Sequence, residues 1–257
     1  MSEDTFISHL IELRDRLLRS LIAIGVVMAV LAIWPGIGAV YDLLARPMMQ
    51  SLPAGTKMIA TGVVSPIFVP LKVTLLAAFL VALPYVLYQA WAFVAPGLYA
   101  HEKRIALPIV VSSTVLFLLG VAYCYFVVFG MIFRAIQSYA PSAISPAPDI
   151  EAYLNFVMTM FLAFGITFEI PLAQIVLVRA GVVTPEKLKE VRPYVVVGAF
   201  VIAAVVTPPD VLSQLLLAIP MCVLYELGLI ASRYFGKPSR PDESGDTLPA
   251  VSGDKDN

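Results

Sequence analysis

Charge is what this chain most lacks: only 14% of its 257 residues are Asp, Glu, Lys or Arg, 60% are hydrophobic, and the mean hydropathy is +0.88. A globule of that composition has too little polar surface to face water, so the chain is read as embedded in lipid. Histidine is confined to His9 and His101, and cysteine to Cys124 and Cys222, each inside an apolar run. No CxxC or Cys/His spacing and no phosphate-cradling glycine motif occurs, so the cysteines are packing residues and nucleotide chemistry is not expected. An intramembrane protease needs a general base or metal ligands within its spans. Both histidines lie at the edge of the apolar runs instead, so no enzyme, cofactor or metal site is expected. A net charge of −1 with no basic stripe offers nothing to nucleic acid. A cleavable signal is also missing, because the first residues are acidic and no small-residue cleavage site follows; the first apolar run is expected to stay as a membrane helix.

What is present is six apolar runs, at 20–40, 71–94, 108–133, 153–178, 194–206 and 211–230. Backbone groups in lipid must be bonded within their own segment, so these runs are helices; the alternation of barrel strands is not seen. The expected fold is an all-α membrane protein, a single integral membrane domain over 1–233, with a disordered cytoplasmic tail over 234–257. Basic residues set the orientation. With the N-terminus inside, thirteen of them fall on cytoplasmic segments, and only Arg46, Lys57, Lys72 and Arg134 fall on the other side, so both termini are cytoplasmic. Two outer loops, 41–70 and 134–152, are stiffened by proline and are expected to form short helices or ordered caps. The 194–206 run reaches only roughly 20 Å as a helix, short of a hydrocarbon core of about 30 Å, so the bilayer thins there or water enters. Asp210 is placed to cap the helix that follows.

Glu169 is the one acid deep in a span, within Phe164-Gly165-Ile166-Thr167-Phe168-Glu169-Ile170-Pro171. An ionised carboxylate there costs at least ~2.5 kcal/mol, so it needs a partner, a wet cavity or a proton. Thr167 and Gln174 are its expected hydrogen-bond partners. A protonated acid that only bonds a neighbouring helix is the plain alternative to a functional group, either a polar docking point for another helix or part of a water-lined cavity; the functional reading is preferred. Glu226, near the end of the last span, is less telling.

The chain begins with His9-Leu10-Ile11-Glu12-Leu13-Arg14-Asp15-Arg16-Leu17 running straight into the first span. On a wheel of about 100° per residue, Leu10, Leu13 and Leu17 cluster near Phe6, while His9, Glu12, Asp15, Arg16 and Arg19 fill the other side. Arg14 falls inside the apolar arc, where a guanidinium must snorkel or find an acid. It is expected to tie this helix to Glu102 or to the 179–193 loop. Glu12 alone is satisfied by an i,i+4 pair with Arg16, and Glu102 alone by its neighbours Lys103 and Arg104. Together they put two carboxylates on the one face already rich in positive charge. A carboxylate takes a guanidinium in a forked, two-bond geometry, so a ligand with adjacent arginines fits.

These residues resemble the TatC family, the multi-spanning subunit of the twin-arginine protein translocase. The likeness runs from His9 to Arg233: His9-Leu10-Ile11-Glu12-Leu13-Arg14, Ala45-Arg46-Pro47, Pro66, Tyr88-Gln89-Ala90-Trp91-Ala92-Phe93-Val94-Ala95-Pro96-Gly97-Leu98, Glu102-Lys103-Arg104, Ala163-Phe164-Gly165 with Glu169, Arg192-Pro193-Tyr194, and Thr207-Pro208-Pro209-Asp210-Val211-Leu212-Ser213-Gln214. Gly130 departs from it where a proline is expected. The resemblance implies six helices in a curved, glove-like bundle with short fifth and sixth spans, in the bacterial inner membrane. It implies a cytoplasmic face that binds the paired arginines of signal peptides on folded cargo, through Glu12 and Glu102 with Arg14, Arg16 and Phe93 shaping the site. Pro47 would shape the outer loop, and Asp210 and Gln214 the outer turn. Glu169, with Thr167 and Gln174, would face single-span partners of the TatA and TatB type, in a multimeric receptor complex driven by the proton motive force. A proton-coupled secondary transporter of a small solute, with Glu169 as carrier, is the competing reading. The absence of an internal repeat weakens it.

Overall fold

The computed structural model describes residues 2–51, 58–94, 103–139, 148–207 and 210–235. Its helices are α1 (Ser2–Leu31), α2 (Ile37–Ser51), α3 (Ser65–Val94), α4 (Lys103–Tyr123), α5 (Phe129–Tyr139), α6 (Ile150–Arg179), α7 (Pro185–Glu190), α8 (Arg192–Val206) and α9 (Val211–Phe235). Five of these stretches are long and apolar enough to cross a membrane, and α8 is a shorter apolar helix. The expected tail lies outside the described residues, apart from its first two positions.

The first apolar run is not one straight helix. At Ala32–Gly36 the helix breaks at a kink, with Trp34 extended at φ −147° and Gly36 at φ +96°. Pro35 has no N–H to give the ladder and Gly36 alone tolerates that φ, so helix direction changes before α2. The run at 108–133 passes through a π-helical turn, Cys124–Val128, between α4 and α5.

Helix ends follow local chemistry. Asp149 caps α6 by accepting from the Glu151 and Ala152 N–H groups, and Thr184 caps α7, with Pro185 in its first turn. At the far end of α6, Gly181 at φ +71° lets the Val182 N–H reach back to Leu177 O and the Gly181 N–H to Val178 O, the Schellman arrangement. The fifth span is short as expected: α8 has 15 residues, about 22 Å. The sixth is not. With 25 residues, α9 extends about 37 Å and is long enough and apolar enough to cross by itself.

The principal helix contacts run α1 to α3, α3 to α4, α4 to α6, α6 to α9 and α9 to α8, an open row with α1 and α8 at its two ends. The core sits where α3, α4, α5, α6 and α9 converge, around Val73, Val128, Phe129, Leu154, Met160, Phe164 and Leu217. There Phe129 stacks on Phe161 with ring centroids 5.5 Å apart. Glycines let α4 and α6 close up: a Cβ at Gly120 would stand 2.5 Å from Phe164 O, and one at Gly165 would stand 2.3 Å from the Phe117 ring. By contrast, the residues of α1 turned away from α3, including Leu21, Ile22, Val26 and Val30, are exposed.

The two proline-rich loops are joined at their described residues. The Ile59 N–H donates to Pro148 O at 3.0 Å and the Ile150 N–H to Ile59 O at 2.8 Å, a short parallel bridge. This is an ordered cap of the expected kind, made by pairing one loop with the other.

Candidate functional site

Three groups of polar residues stand out on this framework. The first is at the N-terminal end of α1. Glu12 Oε1 accepts two bonds from Arg16, from Nε at 2.9 Å and Nη2 at 2.6 Å, while Arg16 Nη1 donates to Gln89 Oε1 of α3 at 3.3 Å. The i,i+4 pair read from the sequence is therefore formed, and Arg16 also carries the link between helices. Among the described residues Arg14 bonds the adjacent Asp15, with its guanidinium 68% exposed; its expected partner Glu102 is not among them. Beside the Arg16 link lies a cavity of about 250 Å³ lined by Leu13, Leu17, Val86, Gln89 and Phe93 among others. Glu102 lies outside the described residues.

The second group surrounds Glu169. Neither Thr167 nor Gln174 bonds it. Ser113 of α4 does, its hydroxyl donating to Glu169 Oε2 at 2.6 Å, and Trp91 Nε1 of α3 donates to Ser113 Oγ at 2.8 Å. Glu169 Oε1 is buried without a partner. Gln174 is turned to α9, packed against Gly228 so closely that a Cβ there would meet its Oε1 at 2.4 Å, and its amide is buried without a partner too. Thr167 is buried. Glu169 lines a second cavity of about 270 Å³ between α3 and α6, otherwise apolar, with Leu87, Ala90, Trp91, Val94, Ala173 and Leu177. Serine in an apolar helix gives no sequence signal of a role, and only the fold brings Ser113 to an acid 56 residues away. Trp91, inside the Tyr88–Leu98 motif, was the available hint.

The third group lies around the α8–α9 corner and the N-terminal end of α6. Asp210 caps α9, accepting from the Ser213 N–H at 2.7 Å, and Gln214 Nε2 donates to Phe200 O of α8 at 3.2 Å. These two expected residues thus fix the α8–α9 corner. Pro47 lies in α2, with its side chain outside those described. The sequence did not single out the residues around Asp149, although a Pro-Asp before a helix is a cap signal. Asp149 Oδ2 accepts from the Thr61 N–H at 3.0 Å and hydroxyl at 2.7 Å, and Glu151 takes the Ser65 hydroxyl at 2.6 Å and Lys72 at 3.1 Å. Bonds from the Ala152 N–H first, then from Thr61, hold the Asp149 carboxyl down at about 2. At the opposite end Arg192 grips both oxygens of Glu226 and Tyr225 donates to Leu188 O at 2.6 Å, clipping the α6–α8 connection to α9.

Comparison with known proteins places these features. The family described as Sec-independent protein translocase protein (TatC) matches residues 8–220. A TatC from Escherichia coli K12 is 47% identical over 244 residues, 94% of each chain. One from Halothiobacillus neapolitanus is 50% identical over 232 residues, 90% of this chain and 63% of its own greater length. A crystal structure of a twin-arginine translocase receptor TatC superposes with a TM-score of 0.77 at 37% identity, covering 88% of this chain and 99% of the other.

Proposed function

This chain belongs to the TatC family of Sec-independent protein translocase proteins, and from that membership we propose that it is the signal-peptide receptor of a twin-arginine translocase. The observation that carries the reading is the Glu12–Arg16 pair. Arg16 gives Glu12 two bonds, both to Oε1, with Oε2 free of any bond among the described residues. An i,i+4 pair is worth only roughly a few tenths of a kcal/mol, while Arg16 is held further by Gln89. Oε2 is therefore the acceptor that an arginine from a peptide joins. The apolar cavity beside Phe93 and Leu17 suits the hydrophobic stretch that follows the arginines. Glu102, by family resemblance, takes the second guanidinium.

The further elements of the proposal are a cytoplasmic location of both termini in the bacterial inner membrane, transport of folded cargo on the proton motive force without enzymatic chemistry, self-association in a receptor complex, and partners of the TatA and TatB type. The Glu169 cavity is where a single partner helix docks. The test is binding of a fluorescent twin-arginine signal peptide, and of its twin-lysine version, to the full chain in nanodiscs. A preference for arginine that vanishes in both Glu12→Gln and Glu102→Gln supports the reading. Equal binding of the two peptides by the unaltered chain overturns it.

A further inference from the structure

We propose that Arg19 and the groove beside it between α1 and α3 form a binding site for an anionic phospholipid, with the phosphodiester on the guanidinium and an acyl chain against Ile22, Ala23 and Tyr85. The site is separate from the one assigned to the signal peptide and does not depend on it.

Charge pairing along α1 leaves one arginine over. Arg14 bonds Asp15 and Arg16 bonds Glu12, so both acids of the 12–19 segment are taken. Arg19 is exposed and has no hydrogen bond or ion pair among the described residues. It stands three residues, about 4.5 Å along the axis, nearer the apolar run than Arg16, where a guanidinium must reach a counter-charge at the lipid boundary. Beside it lies a cavity of about 240 Å³ lined by Arg19, Ile22, Ala23 and Tyr85. The α1–α3 seam, marked by the Arg16–Gln89 bond, separates this cavity from the one lined by Leu13, Leu17 and Phe93. At about 100° per residue, Arg19 and Ile22 fall about 60° and 120° to one side of Arg16, and Leu13 and Leu17 about 60° and 100° to the other. Ile22 is 65% exposed and Tyr85 42%, so in a bilayer the groove opens to lipid. An occupant suited to both parts carries a negative charge at its head and hydrocarbon behind it. A phosphodiester takes a guanidinium in the same forked geometry as a carboxylate, and basic pockets between membrane helices seat anionic headgroups. Among the described residues no acid lines the cavity to repel such a head. A zwitterionic lipid fits less well, because its own ammonium competes with Arg19 for the phosphate.

The test is native mass spectrometry of the full chain in a non-ionic detergent, with phosphatidylglycerol and phosphatidylcholine of identical acyl chains added in equal amounts. The unaltered chain is expected to retain phosphatidylglycerol over phosphatidylcholine by roughly tenfold. Arg19→Gln is expected to abolish that preference. Ala23→Phe, which fills the groove and leaves the charge, is expected to lower the retention of phosphatidylglycerol. Arg233→Gln, which removes the same charge from the last turn of α9, is expected to leave the preference as it was. Equal retention of the two lipids by the unaltered chain overturns the proposal. So does a loss in Arg233→Gln as large as that in Arg19→Gln, which marks general attraction to basic residues, and so does full retention of phosphatidylglycerol by Ala23→Phe. Should Ala23→Phe fail to fold, Arg19→Gln and Arg233→Gln decide the matter, since both side chains are exposed.

Discussion

Arg16 and Gln89 join α1 to α3 through a bond of 3.3 Å, with the guanidinium at the same time holding Glu12. Gln89 is buried, so its amide has little access to water in place of the arginine. Gln89→Leu is expected to lower stability by about 1 kcal/mol and to speed amide exchange over residues 12–20, measured by hydrogen-exchange mass spectrometry. Unchanged exchange there would show that α1 is held by apolar contact alone.

Glu12→Gln keeps the size of the side chain and removes its charge. Affinity for a twin-arginine peptide is expected to fall by roughly tenfold, the difference between a charge-assisted and a neutral bond, while affinity for a twin-lysine peptide changes less. Titration of both peptides against the variant gives the ratio.

Acid should loosen the bridge between the two proline-rich loops. The Asp149 carboxyl titrates at about 2 in the folded protein, below the ordinary carboxylate value of about 4. A depressed value means that its contribution is fully present above pH of about 4 and is lost as the pH falls through about 2. Spin labels on Ala60 and Asn155, both exposed, are expected to give one narrow distance above that window and a broad one below it. Asp149→Ala is expected to give the broad distribution at every pH.

Glycine substitutions should separate by neighbour. At Gly120 an added Cβ meets backbone, the Phe164 carbonyl, and at Gly165 it meets the Phe117 ring, whereas at Gly130 nothing lies within 4 Å. Gly120→Ala is expected to cost about 1–3 kcal/mol, and Gly165→Ala no more than that. Gly130→Ala is expected to stabilise by up to about 1 kcal/mol, the helix-propensity gain. Thermal unfolding in detergent orders the three. A Gly120→Ala as stable as the parent would mean that the helices separate at no cost.

The apolar runs are enough to locate five helices of membrane-crossing length and the shorter α8, because lipid imposes a length and a helical form on any segment that crosses it. The cap at Asp210 is equally plain, since it depends on neighbours in sequence. What depends on rotation about a helix axis is not plain. A wheel divides α1 into polar and apolar sides but does not say which side meets α3, and so it does not show that Arg16 is the residue that reaches Gln89. Glu169 declares itself by its cost in lipid, yet its partner is Ser113 on another helix, and nearness in sequence favoured Thr167 and Gln174. The length of α9 was misjudged from family likeness, although its own residues make a helix of membrane-crossing length.

The contact of α4 with α6 at Gly120 and Gly165 has a mechanical consequence. With one backbone set against the other and Phe117 wedged at the seam, neither helix slides past its neighbour without collision. The pair therefore turns as a single stiff beam. Any rearrangement within the row must then fall at another seam than this one, and the α3–α4 seam is the least extensive of them.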